Sequence, residues 1–333
     1  MAEDSSLKYA DKREYAFYRD LLLMLIPPAV MAFYYRGASA LRLIAICMLT
    51  GVVCELVGSF LMRCPRNLKD CSALFIGAAT AMMLPSDIHP WIAICGTAFG
   101  VLAVKLPLGG TFSVPFVPVA AGFSFMALCW PDKVFNYTMI GSDGVSGTSL
   151  AGMLSINTSI RPNTVNVFDV LIGNVPGPMG ASCVIVLLGC AAYMALRHPK
   201  SLLNSLGFLA ASAAMAVAFP RIYVENKRLI SLLLELCSGF TVFAALFFVT
   251  DTATSPKRNI YRFFYGLFTG VICMLLRYYG TFEDGVCFAV LIANAVWPAI
   301  EEKAEKRRKK RLKKSKTKGE TRSPSREEVT EVG

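Results

Sequence analysis

Apolar and polar positions follow one another in long blocks along this chain, and most apolar blocks approach the length of a membrane helix. A helix needs about 20 mostly apolar residues to cross the hydrocarbon core, within a range of about 17–25. Several blocks are shorter, which is typical of broken helices in a polytopic bundle. The pattern predicts ten spans, at residues 20–35, 41–62, 71–86, 90–105, 113–130, 182–196, 202–219, 229–250, 262–279 and 285–300.

Two apolar stretches, beginning at Ser72 and at Ser238, share an order of features. Each has an apolar span, a polar break with proline, a span with a GxxxG pattern and then a basic residue. The features are Gly96, Gly100 and Lys105 in the first stretch, and Gly266, Gly270 and Arg277 in the second. If each half holds five spans, the halves insert with opposite orientation, as in many transporters. Alternatively, the likeness only reflects glycine-rich apolar sequence, since GxxxG alone marks close helix packing.

Composition agrees with a membrane protein and excludes several other classes. Hydrophobic residues make up 55% of the 333 residues and charged residues 17%, against about 25% charged in a typical soluble domain. A soluble enzyme, a disordered chain, a collagen-like fibre and a disulfide-rich scaffold are therefore excluded. The eleven cysteines lie mostly in apolar runs, which indicates small hydrophobic residues rather than a metal cage. We predict an all-α integral membrane protein, with about ten transmembrane helices in two inverted five-helix repeats.

Basic residues predict the orientation of the spans, because cytoplasmic loops carry an excess of Lys and Arg. With the N-terminus inside, the inner segments hold thirteen basic residues and the tail thirteen more, against eight outside. This predicts a multi-pass protein of the cell inner membrane with both termini cytoplasmic. Residues 1–19 form the cytoplasmic N-terminus, 20–300 the membrane domain and 301–333 the tail. The polar segment 131–181 becomes an extracytoplasmic loop, and loops of this length are usually functional or disordered.

The basic tail is predicted to be disordered, and three interpretations of its charge remain open. Each Lys or Arg near an anionic leaflet contributes about 1 kcal/mol, so the tail can bind the inner membrane surface. It can also be a solvated segment that fixes topology. Nucleic-acid binding is a third interpretation, based on charge alone. No nucleic acid is expected as a partner, because the tail lacks interleaved aromatic residues.

A short motif in the outer loop points to a modified hydroxyl. It consists of Asp143, Ser146, Gly147, Thr148 and Ser149, and it resembles the D-x-x-S-G-A-T motif of the RnfD/NqrB family, whose members belong to the Rnf and Nqr electron transport complexes. In that family a flavin transferase joins FMN to the last hydroxyl through a phosphoester bond, which requires an accessible hydroxyl with small neighbours. The resemblance implies that Ser149 accepts covalent FMN. Serine replaces threonine at this position and Thr148 replaces alanine; the alternative is an ordinary Gly/Ser turn.

Further stretches over residues 20–300 resemble the same family. Residues 248–256 are similar to M-A-T-D-P-V-T-S-P, residues 283–294 to E-G-x-x-F-A-I-L-L-M-N, and residues 172–177 to L-G-N-x-P-G. A stretch after Gly109 departs from its pattern, since Ser113 and Val117 stand at two asparagine positions. The resemblance implies a membrane redox subunit of an Rnf-like, ion-translocating ferredoxin:NAD oxidoreductase. Its expected partners are other membrane subunits of that complex, a flavin transferase and the lipid membrane.

A second candidate site lies at polar breaks near span ends. Asp251, Thr252 and Thr254 follow one span, and Asp70 holds the corresponding place in the first repeat. Such breaks can line a cavity. These residues are candidates for a second flavin, such as riboflavin, or for a coupling cation; the alternative is helix capping.

Two carboxylates, Glu55 and Glu235, fall within predicted spans. Charged groups in a membrane are costly and usually face the bundle interior. Either glutamate can handle protons or cations, and the alternative is a structural hydrogen bond.

Two classes of function therefore remain at this point. One is the redox subunit, and the other is an inverted-repeat channel or transporter of urea-channel-like architecture without covalent flavin. The motif that ends at Ser149 favours the redox subunit, because a passive channel has no need for a modified hydroxyl.

Overall fold

A computed structural model describes residues 2–62, 71–110, 114–138, 146–147, 149–156, 167–220 and 228–320. Helices dominate this part of the chain, as a bilayer requires of a backbone that must satisfy its own hydrogen bonds. The helices are α1 (Ala2–Arg36), α2 (Ala38–Leu61), α3 (Ser72–Met83), α4 (Pro90–Phe99), α5 (Pro118–Cys129), α6 (Pro131–Val134), α7 (Leu150–Ile156), α8 (Val167–Ile172), α9 (Val184–Arg197), α10 (Pro199–Ala218), α11 (Arg228–Cys237), α12 (Thr241–Phe247), α13 (Asn259–Tyr279) and α14 (Val286–Glu320). A π-helical segment, Gly100–Lys105, continues α4.

Four described helices are long and apolar enough to cross a membrane. They are Tyr15–Arg36, Ala38–Leu61, Pro199–Ala218 and Asn259–Tyr279. Four shorter apolar helices are Ser72–Met83, Pro90–Lys105, Pro118–Cys129 and Val184–Arg197. Together they indicate a helical, multi-pass membrane protein. The count of ten spans and the inverted orientation of the halves stay predictions.

One predicted span, residues 229–250, is divided in the structure into α11 and α12. The division falls at Gly239, whose φ of 64° lies in the left-handed region that favours glycine. A Cβ atom at Gly239 would also collide with the carboxylate of Asp284. The span breaks because a backbone turn and a buried carboxylate meet at this residue.

Close helix packing accounts for both GxxxG patterns. A Cβ atom on Gly266 of α13 would collide with the carbonyl oxygen of Asn204 in α10. A Cβ atom on Gly100 would lie 2.7 Å from the carbonyl oxygen of Pro118 at the start of α5. Small residues thus let the backbones approach, as they do in membrane helix pairs generally.

The polar segment 131–181 contains short regular elements. Besides α6, α7 and α8, two strands pair antiparallel: β1 (Tyr137–Thr138) and β2 (Ser146–Gly147). Arg36, at the end of α1, donates hydrogen bonds to the carbonyl oxygens of Thr138 and Gly177. These contacts hold the segment against the end of the first helix.

The tail differs from the sequence prediction, because α14 continues to Glu320 where disorder was expected from residue 301. The reason is composition: Ala, Glu, Lys and Arg all favour a helix. Glu302 and Lys306 add an exposed ion pair of 2.5 Å at the i,i+4 spacing. Residues 321–333 lie outside the described part of the chain.

Candidate flavin-attachment site

Ser149, the candidate FMN acceptor, is the N-cap residue of α7. Its Oγ accepts the backbone N–H of Gly152 at 3.0 Å, and its carbonyl oxygen accepts the N–H of Met153 at 2.8 Å. Serine is favoured at this position because its side chain satisfies one of the free N–H groups at a helix start. The residue is only 3% exposed, so the prediction of an accessible hydroxyl is wrong for this structure. Helix capping and one further contact engage the hydroxyl.

That further contact is with Glu283, in the segment between α13 and α14. The Ser149 Oγ donates a hydrogen bond of 2.6 Å to Oε2 of Glu283. A serine hydroxyl carries a single hydrogen, and the Gly152 N–H already supplies a donor to the oxygen, so this hydrogen points at the carboxylate. Burial raises the pKa of Glu283 to about 7; the bond from Ser149 opposes this rise and the neighbouring Asp284 carboxylate adds to it.

Glu283 also lines an open cavity of about 500 Å³. Ligand pockets are usually about 300–1,000 Å³, so the volume suits a cofactor-sized molecule. The lining residues are Pro131, Asp132, Phe135, Asn136, Gly147, Thr281, Phe282 and Glu283. The rings of Phe135 and Phe282 lie 6.1 Å apart at 33° to each other. Aromatic faces with a few polar groups fit the flat ring of a flavin, since aromatic rings prefer offset stacking.

The structure brings together some of the predicted motif residues. Gly147 lines the cavity, and Ser146 pairs with Thr138 across the two strands. Asp143 and Thr148 lie outside the described residues. Sequence reasoning noticed Glu283 only as the start of a family motif and did not predict its contact with Ser149. The one available signal was a pair of carboxylates, at 283 and 284, in a loop between two apolar spans.

The second candidate site is a tight turn after α12. Oδ1 of Asp251 accepts hydrogen bonds from the Tyr18 hydroxyl at 3.1 Å and from the Ala253 N–H at 3.2 Å. Thr252 and Thr254 are partly buried in the same turn, and Asp70 lies outside the described residues. The contact with Ala253 agrees with capping, whereas the long-range contact with Tyr18 goes beyond it.

A small cavity beside Asp251 joins this turn to the stretch that begins at Ser72, since Ser72 and Lys105 also line it. Its volume is about 10 Å³. About this much space is needed for one water molecule. A bound ion or water fits there, and a flavin ring does not.

Glu55 in α2 has a cationic partner. Lys105 Nζ lies 2.5 Å from Oε1 of Glu55 and 2.5 Å from Oγ of Ser72. Both charged residues are buried, and Lys105 is 1% exposed. A buried charge needs a partner, so this contact supports the structural interpretation of Glu55.

Arg277 follows the GxxxG pattern of the second stretch, as Lys105 follows that of the first. Its guanidinium donates to the carbonyl oxygens of Glu235 at 3.0 Å and Ser238 at 2.8 Å, and to Oγ1 of Thr241 at 3.1 Å. It lies 3.9 Å from Oδ2 of Asp284, which also accepts the N–H of Phe240. The cluster ties the α11–α12 break to α13 and to the start of α14.

These two clusters change the count of basic residues from which the orientation was predicted. The orientation argument counted Lys105, at the end of predicted span 90–105, with the inner segments, and Arg277, near the end of predicted span 262–279, with the outer ones. Both are buried in the structure. Without them, the inner segments keep twelve basic residues and the outer ones seven, and the tail still adds thirteen. Basic residues therefore remain in excess on the inner side.

Comparison with known proteins agrees with the resemblance seen in the motifs. The family model described as "NQR2, RnfD, RnfE family" matches residues 9–310. A subunit of the Na(+)-translocating ferredoxin:NAD(+) oxidoreductase complex of Acetobacterium woodii is 27% identical, over 85% of this chain and 86% of its own. A subunit of the ion-translocating oxidoreductase complex of Stutzerimonas stutzeri is 27% identical, over 84% and 87%.

A third relative, from the proton-translocating ferredoxin:NAD(+) oxidoreductase complex of Clostridium ljungdahlii, is 24% identical over 84% of this chain and 87% of its own. The family match covers the apolar helices and both candidate sites. The chain therefore belongs to the NQR2, RnfD, RnfE family, as its motifs predicted.

Proposed function

We propose that this chain is a membrane redox subunit of an Rnf-like, ion-translocating ferredoxin:NAD oxidoreductase complex, and that it carries FMN on Ser149. The observation that carries the proposal is the motif hydroxyl, whose hydrogen-bond partner Glu283 lines a cavity of about 500 Å³ together with Phe135 and Phe282. The relatives support the assignment to such a complex, since the three described above are named as subunits of ion-translocating oxidoreductase complexes.

The residues around the cavity suit a flavin. Phe135 and Phe282 offer apolar faces for the ring, and Thr281 and Asn136 offer hydrogen-bonding groups at its edge. When bound, FMN supplies one- and two-electron transfer, and the protein supplies position and electrostatic environment. Because Ser149 is only 3% exposed, attachment requires that its hydroxyl become exposed to the transferase.

The proposed topology has ten spans in two inverted halves, with both termini in the cytoplasm and the segment 131–181 outside. Corresponding contacts support the repeat: Lys105 binds the Ser72 side chain, and Arg277 binds the Ser238 carbonyl oxygen. The outer location of Ser149 follows from the excess of basic residues on the other side. The protein would then lie in the inner membrane with its basic tail near the anionic cytoplasmic leaflet.

For the second site we propose a coupling cation at Asp251, with Thr252 and Thr254 as further oxygen donors and Asp70 as the counterpart in the first repeat. The small cavity favours an ion over riboflavin or another flavin. Relatives named for Na⁺ and for proton translocation are 27% and 24% identical, so the similarity gives no preference between these ions.

The attachment of FMN is tested by co-producing the full chain with a flavin transferase and examining in-gel fluorescence after denaturation. The wild-type chain should fluoresce, Ser149→Ala should not, and Ser182→Ala, at another loop serine, should match the wild type. If the wild type stays dark while Thr148→Ala combined with Ser149→Thr fluoresces, the chain has lost its covalent cofactor. The channel or transporter function would then be favoured.

A further inference from the structure

A groove between α1 and α9 shares no lining residue with the two candidate sites. Its volume is about 490 Å³, and its mostly apolar lining includes Leu23, Met24, Pro27, Gly189, Cys190 and Tyr193. Leu23 is 48% exposed, so the groove opens at the outer surface of the helices, where a bilayer would surround them. The missing side chain of Gly189 contributes to the space, because a Cβ atom there would meet nothing within 4 Å.

The two helices run antiparallel along this groove. Sγ of Cys190 donates a hydrogen bond to the carbonyl oxygen of Met24 at 3.3 Å. Earlier in α1 and later in α9, Oδ2 of Asp20 lies 3.5 Å from Nε of Arg197. Residue numbers therefore fall along α1 as they rise along α9, and one end of the groove points to Asp20 and Arg197.

The side chains along both helices change from apolar to basic toward that end. On α1, Arg19 lies four residues before Leu23. On α9, Arg197 lies four residues after Tyr193, and residues at this spacing are neighbours on one helix face. Both arginines are exposed, and tyrosine is typical of the boundary between hydrocarbon and headgroups. The order matches one leaflet of a bilayer, with acyl chains along the apolar part and headgroups beside the arginines.

Arg197 is directed back toward the groove. Side chains of an α-helix tilt toward its N-terminus, so this side chain lies over the preceding turn. A side-chain hydrogen bond between Arg197 and Tyr193 agrees with this direction. A guanidinium has five N–H donors, so its contacts with Tyr193 and Asp20 do not use all of them. The remaining donors suit a phosphate group, which a guanidinium can bind through two parallel hydrogen bonds.

The charge at this end of the groove favours an anion. Arg19, Arg197 and Lys200 are exposed basic residues. Asp20 is buried, and its Oδ2 contacts both Arg197 and Nε2 of His198, the latter at 3.0 Å. This carboxylate offsets one of the three positive charges. A positive charge therefore remains for a headgroup that carries a net negative charge.

We propose that this groove binds an anionic phospholipid, with an acyl chain beside Leu23 and Gly189 and the phosphate at Arg19 and Arg197. In the proposed topology this end lies in the cytoplasmic leaflet, and basic pockets between helices on that side are typical sites for anionic headgroups. A zwitterionic phospholipid would fit the apolar part equally well, so the arginines supply the preference. A free phosphate ion would leave the apolar part unused.

The test uses the full chain in phosphatidylcholine vesicles that contain a trace of a photoreactive phospholipid. Two probes carry the same diazirine-bearing acyl chain, one with a phosphatidylglycerol headgroup and one with phosphatidylcholine. Peptide mass analysis gives the ratio of labelling by the two probes at residues 23–27 and 186–193. This ratio is divided by the same ratio at residues 49–57 of α2, which removes any general attraction of anionic lipid by the basic tail.

We expect a normalised ratio of about fivefold or more in the wild type, because each arginine near an anionic lipid corresponds to about a fivefold change in binding. Arg19→Gln should lower the ratio about fivefold. Lys257→Gln, which removes another exposed basic residue, should match the wild type.

A second pair of variants tests the apolar part of the groove. Gly189→Phe fills the space that the acyl chain would occupy, so the normalised ratio should fall to about that of the α2 face. Leu188→Phe is the matched control, because it adds a ring at the neighbouring position, which is 57% exposed and does not line the groove. Both Arg19→Gln and Gly189→Phe should fold, since the first residue is exposed and the second faces open space.

Equal normalised ratios at the groove and at α2 in the wild type would overturn the proposal, because the groove would then be an ordinary lipid-facing surface. Labelling of α2 without any labelling of the groove would also overturn it, since the groove would then be closed to lipid. An enrichment that persists unchanged in folded Arg19→Gln or in folded Gly189→Phe would contradict the assigned position of the phosphate or of the acyl chain, respectively. None of these outcomes depends on whether Ser149 carries FMN.

Discussion

Arg277 should be one of the residues on which the fold depends most. It is 2% exposed, and its guanidinium binds the carbonyl oxygens of Glu235 and Ser238 and the hydroxyl of Thr241. The substitution Arg277→Met keeps much of the length of the side chain and removes every one of these donors. If Arg277 were instead exposed at the outer end of its span, as the charge count treated it, the substitution would change the free energy of unfolding by less than about 0.5 kcal/mol.

The structure sets the size of the effect. Two buried carbonyl oxygens lose their donor, and each unsatisfied group costs about 1–3 kcal/mol. Asp284 loses the cation that lies 3.9 Å from its Oδ2, and breaking a buried ion pair costs about 3–5 kcal/mol. These contributions overlap because they share one side chain, so we expect a loss of about 3–5 kcal/mol in the free energy of unfolding. For a chain of this size, that is a fall of about 10 °C in Tm.

Thermal unfolding in detergent can be followed with a thiol-reactive fluorogenic dye, because Cys273 and Cys287 are buried in the same region. Lys133→Met serves as the control, since Lys133 is exposed. Adding Asp284→Asn to Arg277→Met should recover part of the loss, because the uncompensated carboxylate disappears. A Tm for Arg277→Met that is indistinguishable from that of Lys133→Met would refute the account of this cluster.

Three further predictions concern pH, topology and the tail. Because burial raises the pKa of Glu283 from 4.5 to about 7, its protonation stabilises the folded state below pH 4.5, and this is lost as pH rises through 7. Between pH 5 and pH 8 the free energy of unfolding of the wild type should therefore fall by at most about 3 kcal/mol, and replacing Glu283 by glutamine should remove this fall. An equal fall in the wild type and the variant would contradict the prediction. In intact cells, a membrane-impermeant thiol reagent should label Asn157→Cys and not Ser315→Cys above the background of the unaltered chain, and the reverse pattern would exclude the proposed topology. Truncation after Glu302 should change the Tm by no more than about 2 °C, because the removed charged residues that the structure describes are mostly exposed, whereas a large loss of folded protein would show a packing role.

The sequence predicted those features that depend on neighbouring residues. Apolar blocks predicted the helical membrane protein, and the motif around Ser149 together with the stretch from residue 248 predicted the family. The GxxxG pattern at Gly266 also predicted close packing, which the contact with α10 confirms.

Features that depend on distant residues were not predictable in this way. The contact between Ser149 and Glu283 joins positions far apart in the chain, and no local pattern encodes it. Counting basic residues assigned Arg277 to the outer segments, because such a count treats each charge as exposed and does not see its buried partners. The break at Gly239 was missed for a similar reason, since the carboxylate that fills the space beside it, Asp284, comes from the segment between α13 and α14.

The central claim is that Ser149 carries the flavin, and peptide mass analysis tests it most directly. The full chain is purified after co-production with a flavin transferase, denatured to remove loosely bound flavin, digested and analysed for a peptide bearing FMN. We predict one FMN, joined through its phosphate to Ser149, and none in the Ser149→Ala variant. An unmodified Ser149 peptide from the wild-type chain, obtained with a transferase that is active on a control substrate, would contradict the claim.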